Sequence, residues 1–261
     1  MHKHAILRST LDNRQLFTAM AAHNPLCARL AAEAGFDGIW GSGFELAASY
    51  AVPDANILPM GIHLDMMRAI AAAVATPVIA DIDTGFGNAV NVSYAIPQYE
   101  AAGVAAVVME DKTFPKDTSL RTDGRQELVS IETFQGKIGA AIDARQDSNL
   151  VIIARVEALI AGLGQDDALR RAYAYQEAGA DAILIHSRQK TPAEILSFID
   201  AWTGQIPLVL VPTAYPQLTE SSIAESGKVG IVIYGNHAIR AAVGAMAASM
   251  GWTPPCRPST T

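Results

Sequence analysis

One sequence phrase recurs along the chain and limits what it can fold into. In each copy a helix-like stretch reaches glycine and is followed by a short apolar run, at residues 33–40, 100–109 and 177–185 and, less clearly, at 225–234. Each copy is typical of an amphipathic helix that ends at glycine and leads into a buried strand. Because helix and strand alternate with short links, we expect parallel strands joined by right-handed crossovers.

Eight apolar segments have the length of buried strands. They lie at 16–20, 38–40, 78–82, 105–109, 151–154, 182–185, 208–211 and 230–234, and helical patterns lie between them at 64–73, 130–145, 166–178, 192–202 and 238–249. Eight parallel strands form a closed barrel, so the predicted fold is α/β, a single (β/α)8 TIM-type barrel over residues 1–250. An open doubly wound sheet is the alternative, and the strand count favours closure. The proline-rich residues 251–261 are expected to form an irregular tail.

Composition and charge exclude several classes of function. Half of the 261 residues are hydrophobic and 17% are charged, which supplies a large core and argues against disorder. The net charge of −7 argues against a nucleic-acid partner, which would need a basic face. No apolar run reaches transmembrane length, so no membrane partner is expected. Cys27 and Cys256 lie far apart in sequence without metal-ligand spacing, which indicates a reducing, cytoplasmic location. The polar start at residues 1–4 is expected to be a mobile end.

The segment 77–87 carries the clearest sign of chemistry. Its apolar run leads directly into Asp81 and Asp83 and then into a Gly-x-Gly turn. Unpaired carboxylates at the end of a buried strand cost several kcal/mol, so these acids need a cation or hydrogen-bond donors. Hard carboxylate oxygens favour Mg²⁺ or Mn²⁺ over zinc. A capping Asp-x-Asp turn without a metal is the alternative for this segment taken alone.

Polar residues follow most of the predicted strands, at the end of the barrel where active sites lie. The acidic members are crowded enough that a divalent cation would keep them ionised; they are Asp54, Asp81, Asp83 and Glu110. The basic members suit a doubly charged oxyanion, and they are Lys116, Arg155 and His186. Two alternatives stay open, an ion pair between Arg155 and Glu157 on the barrel rim, and a satisfied histidine near the core for His186.

Two connections, 41–61 and 110–130, are longer than usual and are candidate lids. In the first, the turn at residues 41–43 (Gly-Ser-Gly) is suited to presenting backbone N–H groups to a carboxylate. The sequence has no phosphate-binding loop, dinucleotide fingerprint or serine-hydrolase elbow. The residues alone therefore indicate a metal-dependent barrel enzyme that acts on a small anion.

Five segments together resemble the phosphoenolpyruvate mutase/isocitrate lyase superfamily, whose members are α/β barrels. They are residues 38–44, 81–88, 110–116, 154–158 and 179–187. The resemblance implies Mg²⁺ as cofactor, with Mn²⁺ or Co²⁺ as substitutes. It implies that Asp81 binds the metal directly and that three further acids hold it mainly through waters, namely Asp54, Asp83 and Glu110.

The same resemblance implies roles for the remaining polar residues. One segment would hold the carboxylate and carbonyl end of the substrate, and its members are Ser42, Gly43 and Phe44. Arg155 and His186 would face the phosphonyl or leaving group, and Lys116 would belong to a mobile gate. Family members usually continue into C-terminal helices that are exchanged between subunits. We expect a homo-oligomer with a small anionic substrate, as the resemblance implies. Here the C-terminal extension is expected to be missing or altered, so helix exchange is left open.

The gate sequence separates the branches of the superfamily. Carbon–carbon lyases carry a Lys-x-Cys-Gly-His pattern, whereas residues 116–119 here read Lys-Asp-Thr-Ser. Mutases have asparagine where this chain has Thr118, and threonine there resembles the branch that hydrolyses the P–C bond of phosphonopyruvate to pyruvate and phosphate. Because this hydroxyl is what distinguishes the gate, we hypothesise that Thr118 is essential, either as a nucleophile or as a group that orients water. For Thr118 the alternative is a lid threonine in solvent. For the whole protein the alternatives are a phosphoenolpyruvate mutase and a non-catalytic metabolite-binding barrel.

Overall fold

The computed structural model describes residues 3–119, 121 and 123–252 of the chain. The strands are β1 (Phe17–Ala22), β2 (Gly38–Gly41), β3 (Val78–Asp81), β4 (Ala106–Glu110), β5 (Val151–Val156), β6 (Ala182–Ile185), β7 (Leu208–Leu210) and β8 (Val229–Tyr234). The helices are α1 (Lys3–Asp12), α2 (Pro25–Glu33), α3 (Gly43–Ser49), α4 (Met60–Ala73), α5 (Ala89–Ala101), α6 (Ile131–Ala144), α7 (Gly164–Glu177), α8 (Ala193–Ala201), α9 (Glu220–Ala224) and α10 (His237–Ser249).

The strands form a closed parallel barrel in sequence order. Each strand pairs with the next, and β8 pairs with β1, where Thr18 lies opposite Val232. The predicted TIM-type barrel is confirmed, and all eight strands lie within two residues of their predicted ends. The glycine of each recurring phrase has a positive φ, of 92°, 83°, 98° and 63°, at Gly35, Gly103, Gly179 and Gly227. Within the described part of the chain, no helix has both the length and the apolarity to span a membrane.

The core has two apolar layers, because alternate strand residues point into the barrel and out towards the helices. The inner layer contains Phe17, Trp40 and Ile231 among others, and the outer layer packs the helices against the barrel wall. All four residues of β3 are buried, including its terminal Asp81. Burial of the strands on both faces explains why they read as continuous apolar runs in the sequence.

The expectation of a mobile N-terminal end is wrong from residue 3 onwards. Helix α1 starts at Lys3 and places the buried side chains of Leu7 and Leu11 in the inner layer of the core. His4 Nδ1 lies 3.0 Å from Asp147 Oδ2, which ties the helix to the rest of the barrel. The polar first residues hide this helix in the sequence, because its apolar face consists of only a few residues at helical spacing.

The two long connections differ in structure. The first contains a helix, α3, which Ser42 caps by accepting a hydrogen bond from Glu45 N at 3.2 Å. The second, residues 111–130, we call the β4–α6 segment, and its base is closed by an antiparallel bridge between Lys112 and Leu128. The predicted irregular tail lies outside the described residues from position 253 onwards.

Close packing of the barrel predicts opposite effects for two Gly→Ala substitutions. At Gly38, an added Cβ would overlap the Phe17 ring and lie 2.9 Å from Pro77 O, so Gly38→Ala is expected to lower the free energy of unfolding by about 1–3 kcal/mol. At Gly136, in the middle of α6, an added Cβ meets nothing within 4 Å, and Gly136→Ala is expected to add about 0.5–1 kcal/mol. Urea unfolding measures both. Equal effects of the two substitutions would contradict this account of the packing.

Candidate active site

The C-terminal ends of the strands surround a cavity of about 330 Å³. Eight of the residues singled out in the sequence line it, and they are Ser42, Phe44, Asp54, Asp81, Lys116, Thr118, Arg155 and His186. The other three predicted residues, Gly43, Asp83 and Glu110, lie next to residues that line the cavity. Gly43 and Asp83 line a small adjoining pocket, and the buried Glu110 contacts the cavity residues Lys116 and Arg155. The barrel therefore gathers all eleven predicted residues at one end.

The Lys116 ammonium lies among the acidic side chains. Its Nζ is 2.5 Å from Asp83 Oδ1, 3.1 Å from Asp54 Oδ1 and 3.4 Å from Glu110 Oε1, and the side chain is 4% exposed. Asp81 adjoins the same group, since its Oδ1 accepts a hydrogen bond from Asp83 N at 3.2 Å. Acids that are separated by up to 56 positions in the sequence, from Asp54 to Glu110, thus meet around one positive charge.

Burial and mutual repulsion perturb this group of charges. Burial first, and then the neighbouring Asp83 carboxylate, raise the pKa of Asp81 to about 7. For Lys116, burial works to lower the pKa, but the surrounding carboxylates, led by Asp83 and Glu110, raise it well above the ordinary value. Lys116 is therefore a permanent cation at neutral pH. The four carboxylates around it carry more negative charge, when ionised, than this one ammonium can balance.

The acidic group fits a hard divalent cation that keeps some of its own waters. In the portion of the chain that the structure describes, no three His, Cys, Asp or Glu side chains already converge as a complete metal cage. However, Asp83 Oδ1 and both carboxylate oxygens of Glu110 are buried and accept no well-directed hydrogen bond from the described residues. Their nearest polar neighbours are the Lys116 ammonium and the Arg155 guanidinium. Buried carboxylate oxygens of this kind suit Mg²⁺ as ligands or as partners of its waters, because Mg²⁺ usually binds one or two carboxylates and retains waters.

The backbone after β3 bends sharply to place these acids. Asp83 has φ 52° and Gly85 has φ 83°, and a Cβ on Gly85 would lie 2.6 Å from Val92 Cγ2, so the turn requires glycine there. The bend is fastened to the next strand, since Glu110 N donates to Asp83 O at 2.8 Å. Gly87, the second glycine of the Gly-x-Gly turn, also has a positive φ, of 147°.

Asn56 bridges the acids and the β4–α6 segment, and sequence reasoning missed it. Its Nδ2 donates to Asp83 Oδ2 at 3.0 Å, and its Oδ1 accepts from Lys116 N at 2.6 Å. The side chain thereby joins two elements that are 60 residues apart in the sequence. The only local signal is its position two residues after Asp54, which spacing alone could not distinguish from an ordinary turn residue.

Arg155 occupies both of the roles that the sequence left open. It pairs with the buried Glu157, with Nε 2.5 Å from Oε1, and it also lines the cavity. Burial works to lower its pKa, but Glu157 and Glu110 raise it further above its already high value, so the guanidinium stays charged. Arg155 Nη2 also lies 3.1 Å from His186 Nδ1.

The β4–α6 segment covers one side of the cavity. Thr118 is half-buried and lines the cavity, and its carbonyl oxygen accepts from Gln126 Nε2 at 3.0 Å. The next residue, Ser119, is buried and donates from Oγ to Glu157 Oε2 at 2.6 Å. Sequence reasoning missed Ser119 and Lys112, which both contact Glu157, because their partners lie far away along the chain.

The raised pKa of Asp81 predicts a pH-dependent stability in the presence of a metal chelator. Its pKa is about 7 in the folded protein, against about 3.9 in an unfolded chain. The folded state therefore retains an extra proton between about pH 4 and pH 7, and the free energy of unfolding falls as the pH rises through this window.

Asp81→Asn is expected to remove that part of the slope and to exceed the wild-type stability at about pH 8 by a few kcal/mol, since one pKa unit corresponds to about 1.4 kcal/mol. Urea unfolding in EDTA across the window measures the slope. Asp65→Asn is the control, because Asp65 is exposed and pairs with the exposed Arg68. If Asp81→Asn keeps the wild-type slope, the Asp81 carboxyl is not the group that titrates.

Comparison with known proteins agrees with this architecture. A family model described as phosphoenolpyruvate phosphomutase matches residues 7–251. Phosphonopyruvate hydrolase of Variovorax sp. (strain Pal2) is 76% identical over 246 residues, which cover 94% of this chain and 85% of that protein. Phosphoenolpyruvate phosphomutase of Tetrahymena pyriformis is 42% identical over 240 residues, covering 92% and 80%.

Among solved structures, a crystal structure of phosphonopyruvate hydrolase in complex with oxalate and Mg²⁺ matches with a TM-score of 0.90 and 67% identity, covering 100% of this chain and 93% of the other. The fold, the cavity at the barrel end and these matches lead to one conclusion. The chain belongs to the phosphoenolpyruvate phosphomutase family.

Proposed function

We propose that the protein hydrolyses the P–C bond of phosphonopyruvate, with Mg²⁺ as cofactor, and releases pyruvate and phosphate. The observation that carries the proposal is the 76% identity, over nearly the whole chain, to a phosphonopyruvate hydrolase. The site is compatible with this substrate, because basic side chains line a cavity of small-molecule size, among them Lys116, Arg155 and His186. A phosphonate next to a ketone and a carboxylate is a small, multiply charged anion that needs such neutralisation.

The metal would be held by the acidic group, with Asp81 as the direct ligand. Asp54, Asp83 and Glu110 would hold its waters, in keeping with the buried oxygens of Asp83 and Glu110 that accept no well-directed hydrogen bond. When bound there, Mg²⁺ supplies Lewis acidity to the carbonyl and carboxylate oxygens of a substrate. Support for Mg²⁺ comes from the related phosphonopyruvate hydrolase crystallised with Mg²⁺ and oxalate, and Mn²⁺ or Co²⁺ are expected to substitute.

The protein's own residues divide the remaining work between the two ends of the substrate. Ser42, Gly43 and Phe44 would hold the carboxylate and carbonyl end, while Arg155 and His186 would face the phosphonyl group. Arg155 is charged at all relevant pH values and presents a fork of donors suited to phosphonate oxygens. Lys116 would add a second fixed positive charge, because its raised pKa prevents it from acting as a base at neutral pH.

Thr118 would decide the fate of the phosphoryl group once the P–C bond is broken. Hydrolysis requires that the group pass to water rather than return to the oxygen of the pyruvate enolate. The Thr118 hydroxyl would either attack phosphorus, and be released later by water, or orient the water that attacks. Both roles require the hydroxyl to lie at the cavity, and Thr118 is one of its lining residues.

The cell-level predictions follow from the same proposal. A reaction that consumes a small anionic metabolite fits a cytoplasmic enzyme, and the cysteine usage agrees with that location. We also expect a homo-oligomer, as the family resemblance implies. Within the proposed reaction the protein needs no nucleic acid and no membrane as partner.

One assay tests the reaction and separates it from its alternatives. Purified protein is supplied with phosphonopyruvate and Mg²⁺, and pyruvate, phosphate and phosphoenolpyruvate are followed together. We expect equal amounts of pyruvate and phosphate, and loss of the activity on addition of EDTA. Phosphoenolpyruvate as the main product would instead identify a mutase, and absence of all products would identify a non-catalytic barrel.

Thr118 provides the sharpest mutational test of the hydrolysis step. Thr118→Ala is expected to lower kcat by about 10²–10⁴-fold, the range typical of losing a group that moves or orients a proton. Thr118→Ser keeps the hydroxyl and should retain most of the activity. Thr113→Ala serves as the matched control, because Thr113 lies in the same segment but does not line the cavity. Turnover of Thr118→Ala close to the wild-type value would rule out an essential hydroxyl.

A further inference from the structure

Lys112 is a buried cation that the proposed reaction does not use. It lies two residues after β4, at the base of the β4–α6 segment, where its backbone bridges to Leu128. Its side chain is 1% exposed, which makes it one of the most deeply buried large side chains of the protein. A buried ammonium is costly unless all its protons have partners, so its contacts indicate what it is there to hold.

The three protons of the Lys112 ammonium have three partners. Nζ donates to Asp117 O at 2.9 Å and to Ser119 Oγ at 2.7 Å, and it lies 3.2 Å from Glu157 Oε2. Two of these partners are the residues directly before and after Thr118. The ammonium therefore holds the chain on both sides of the threonine. Glu157, which directly follows β5, ties the ammonium to the end of that strand.

The Ser119 hydroxyl passes this restraint on to the cavity wall. It donates to Glu157 Oε2 at 2.6 Å and accepts from both Lys112 Nζ and Arg155 Nη2, the latter at 3.1 Å. A serine hydroxyl has one proton and two lone pairs, so these three contacts use its full capacity and leave it one orientation. The backbone next to Thr118 is thus fixed relative to Arg155, which would face the phosphonyl group.

We propose that Lys112 is the positioning residue of the β4–α6 segment, and that its ammonium sets where the Thr118 hydroxyl lies over the cavity. The assignment rests on the proposed hydrolysis. It gives Lys112 no contact with substrate, because Lys112 does not line the cavity. Arg155 keeps its own partner when Lys112 is removed, since its Nε pairs with the other oxygen of Glu157. Loss of Lys112 should therefore displace Thr118 while leaving the substrate-binding cations in place.

The test compares Lys112→Met with Lys228→Met. Methionine keeps the unbranched stem and removes the ammonium. Lys228 is the matched control because its Nζ also donates to backbone oxygens, Ile199 O at 2.6 Å and Asp200 O at 2.9 Å, at the opposite end of the barrel. For Lys112→Met we expect kcat to fall by about 10²-fold, the effect of a small misplacement of a reacting group, with KM changed by less than about threefold. Lys228→Met should keep both values.

A second measurement reports the segment itself, without catalysis. Trypsin can cut after Arg125, whose side chain is 77% exposed within the segment, and mass spectrometry of the fragments follows that cut. We expect Lys112→Met to be cut after Arg125 at least about tenfold faster than wild type, because the opened state is more populated. Oxalate with Mg²⁺ should slow the cut in the wild-type protein. Lys228→Met should be cut there at the wild-type rate.

The outcomes separate the two proposals. Wild-type kcat in Lys112→Met, or a lowered kcat with an unchanged rate of cutting after Arg125, would overturn the positioning role. If the wild-type protein releases no pyruvate and phosphate, the proposed function fails, and the cutting rates still decide whether Lys112 holds the segment.

If Lys112→Met does not fold, Lys112→Arg keeps a charge beside Glu157. Its planar fork cannot reproduce the three contacts, so kcat should still fall by about tenfold and cutting should accelerate; wild-type values of both would overturn the role.

Discussion

Neutralisation of buried charge is the constraint on which the functional end of the barrel depends. A cluster of five carboxylates, of Asp54, Asp81, Asp83, Glu110 and Glu157, lies there against three cations, of Lys112, Lys116 and Arg155. When every group of this cluster is ionised, its carboxylates outnumber its cations by two. Burial first, and then repulsion from Asp83, raise the pKa of Asp81 within the cluster. A divalent cation would offset the excess negative charge beside buried oxygens that accept no well-directed hydrogen bond.

The barrel could be predicted from the sequence because its strands are buried on both faces. Such strands read as short apolar runs, and the glycine that stops each preceding helix marks where the next run begins. Two elements escaped this reasoning. Helix α1 starts within a polar end and shows only Leu7 and Leu11 to the core, and α3 is seven residues long and begins at a glycine. Short helices carry too few periods for their pattern to be distinguished from a loop.

Most of the predicted site residues follow strands directly, and the others lie in the two long connections, where the family resemblance gave them their roles. Parallel strands end at one rim, so position after a strand is enough to bring Asp81, Glu110, Arg155 and His186 together. The missed residues, Asn56, Lys112 and Ser119, act through contacts that join distant segments, as between Asn56 and Lys116. Neither periodicity nor spacing encodes such contacts. Glu157 shows a further limit, because the sequence presents its ion pair with Arg155 as an alternative to a place at the cavity, whereas the structure has Arg155 paired and lining the cavity at once.

The acidic group and the cavity cations suit either fate of a phosphoryl group, return to the enolate oxygen or transfer to water. Both fates pass through the same developing charges, so the residues that bind metal and phosphonate do little to choose between them. Under the proposed function, the choice depends on what stands beside phosphorus when the P–C bond opens, and Thr118 of the β4–α6 segment lines the cavity in which that step would occur. The Thr118 backbone is held by hydrogen bonds from the Gln126 side chain and Arg121 N. An outcome set by a covering segment would allow one barrel rim to serve relatives named for hydrolysis and for isomerisation.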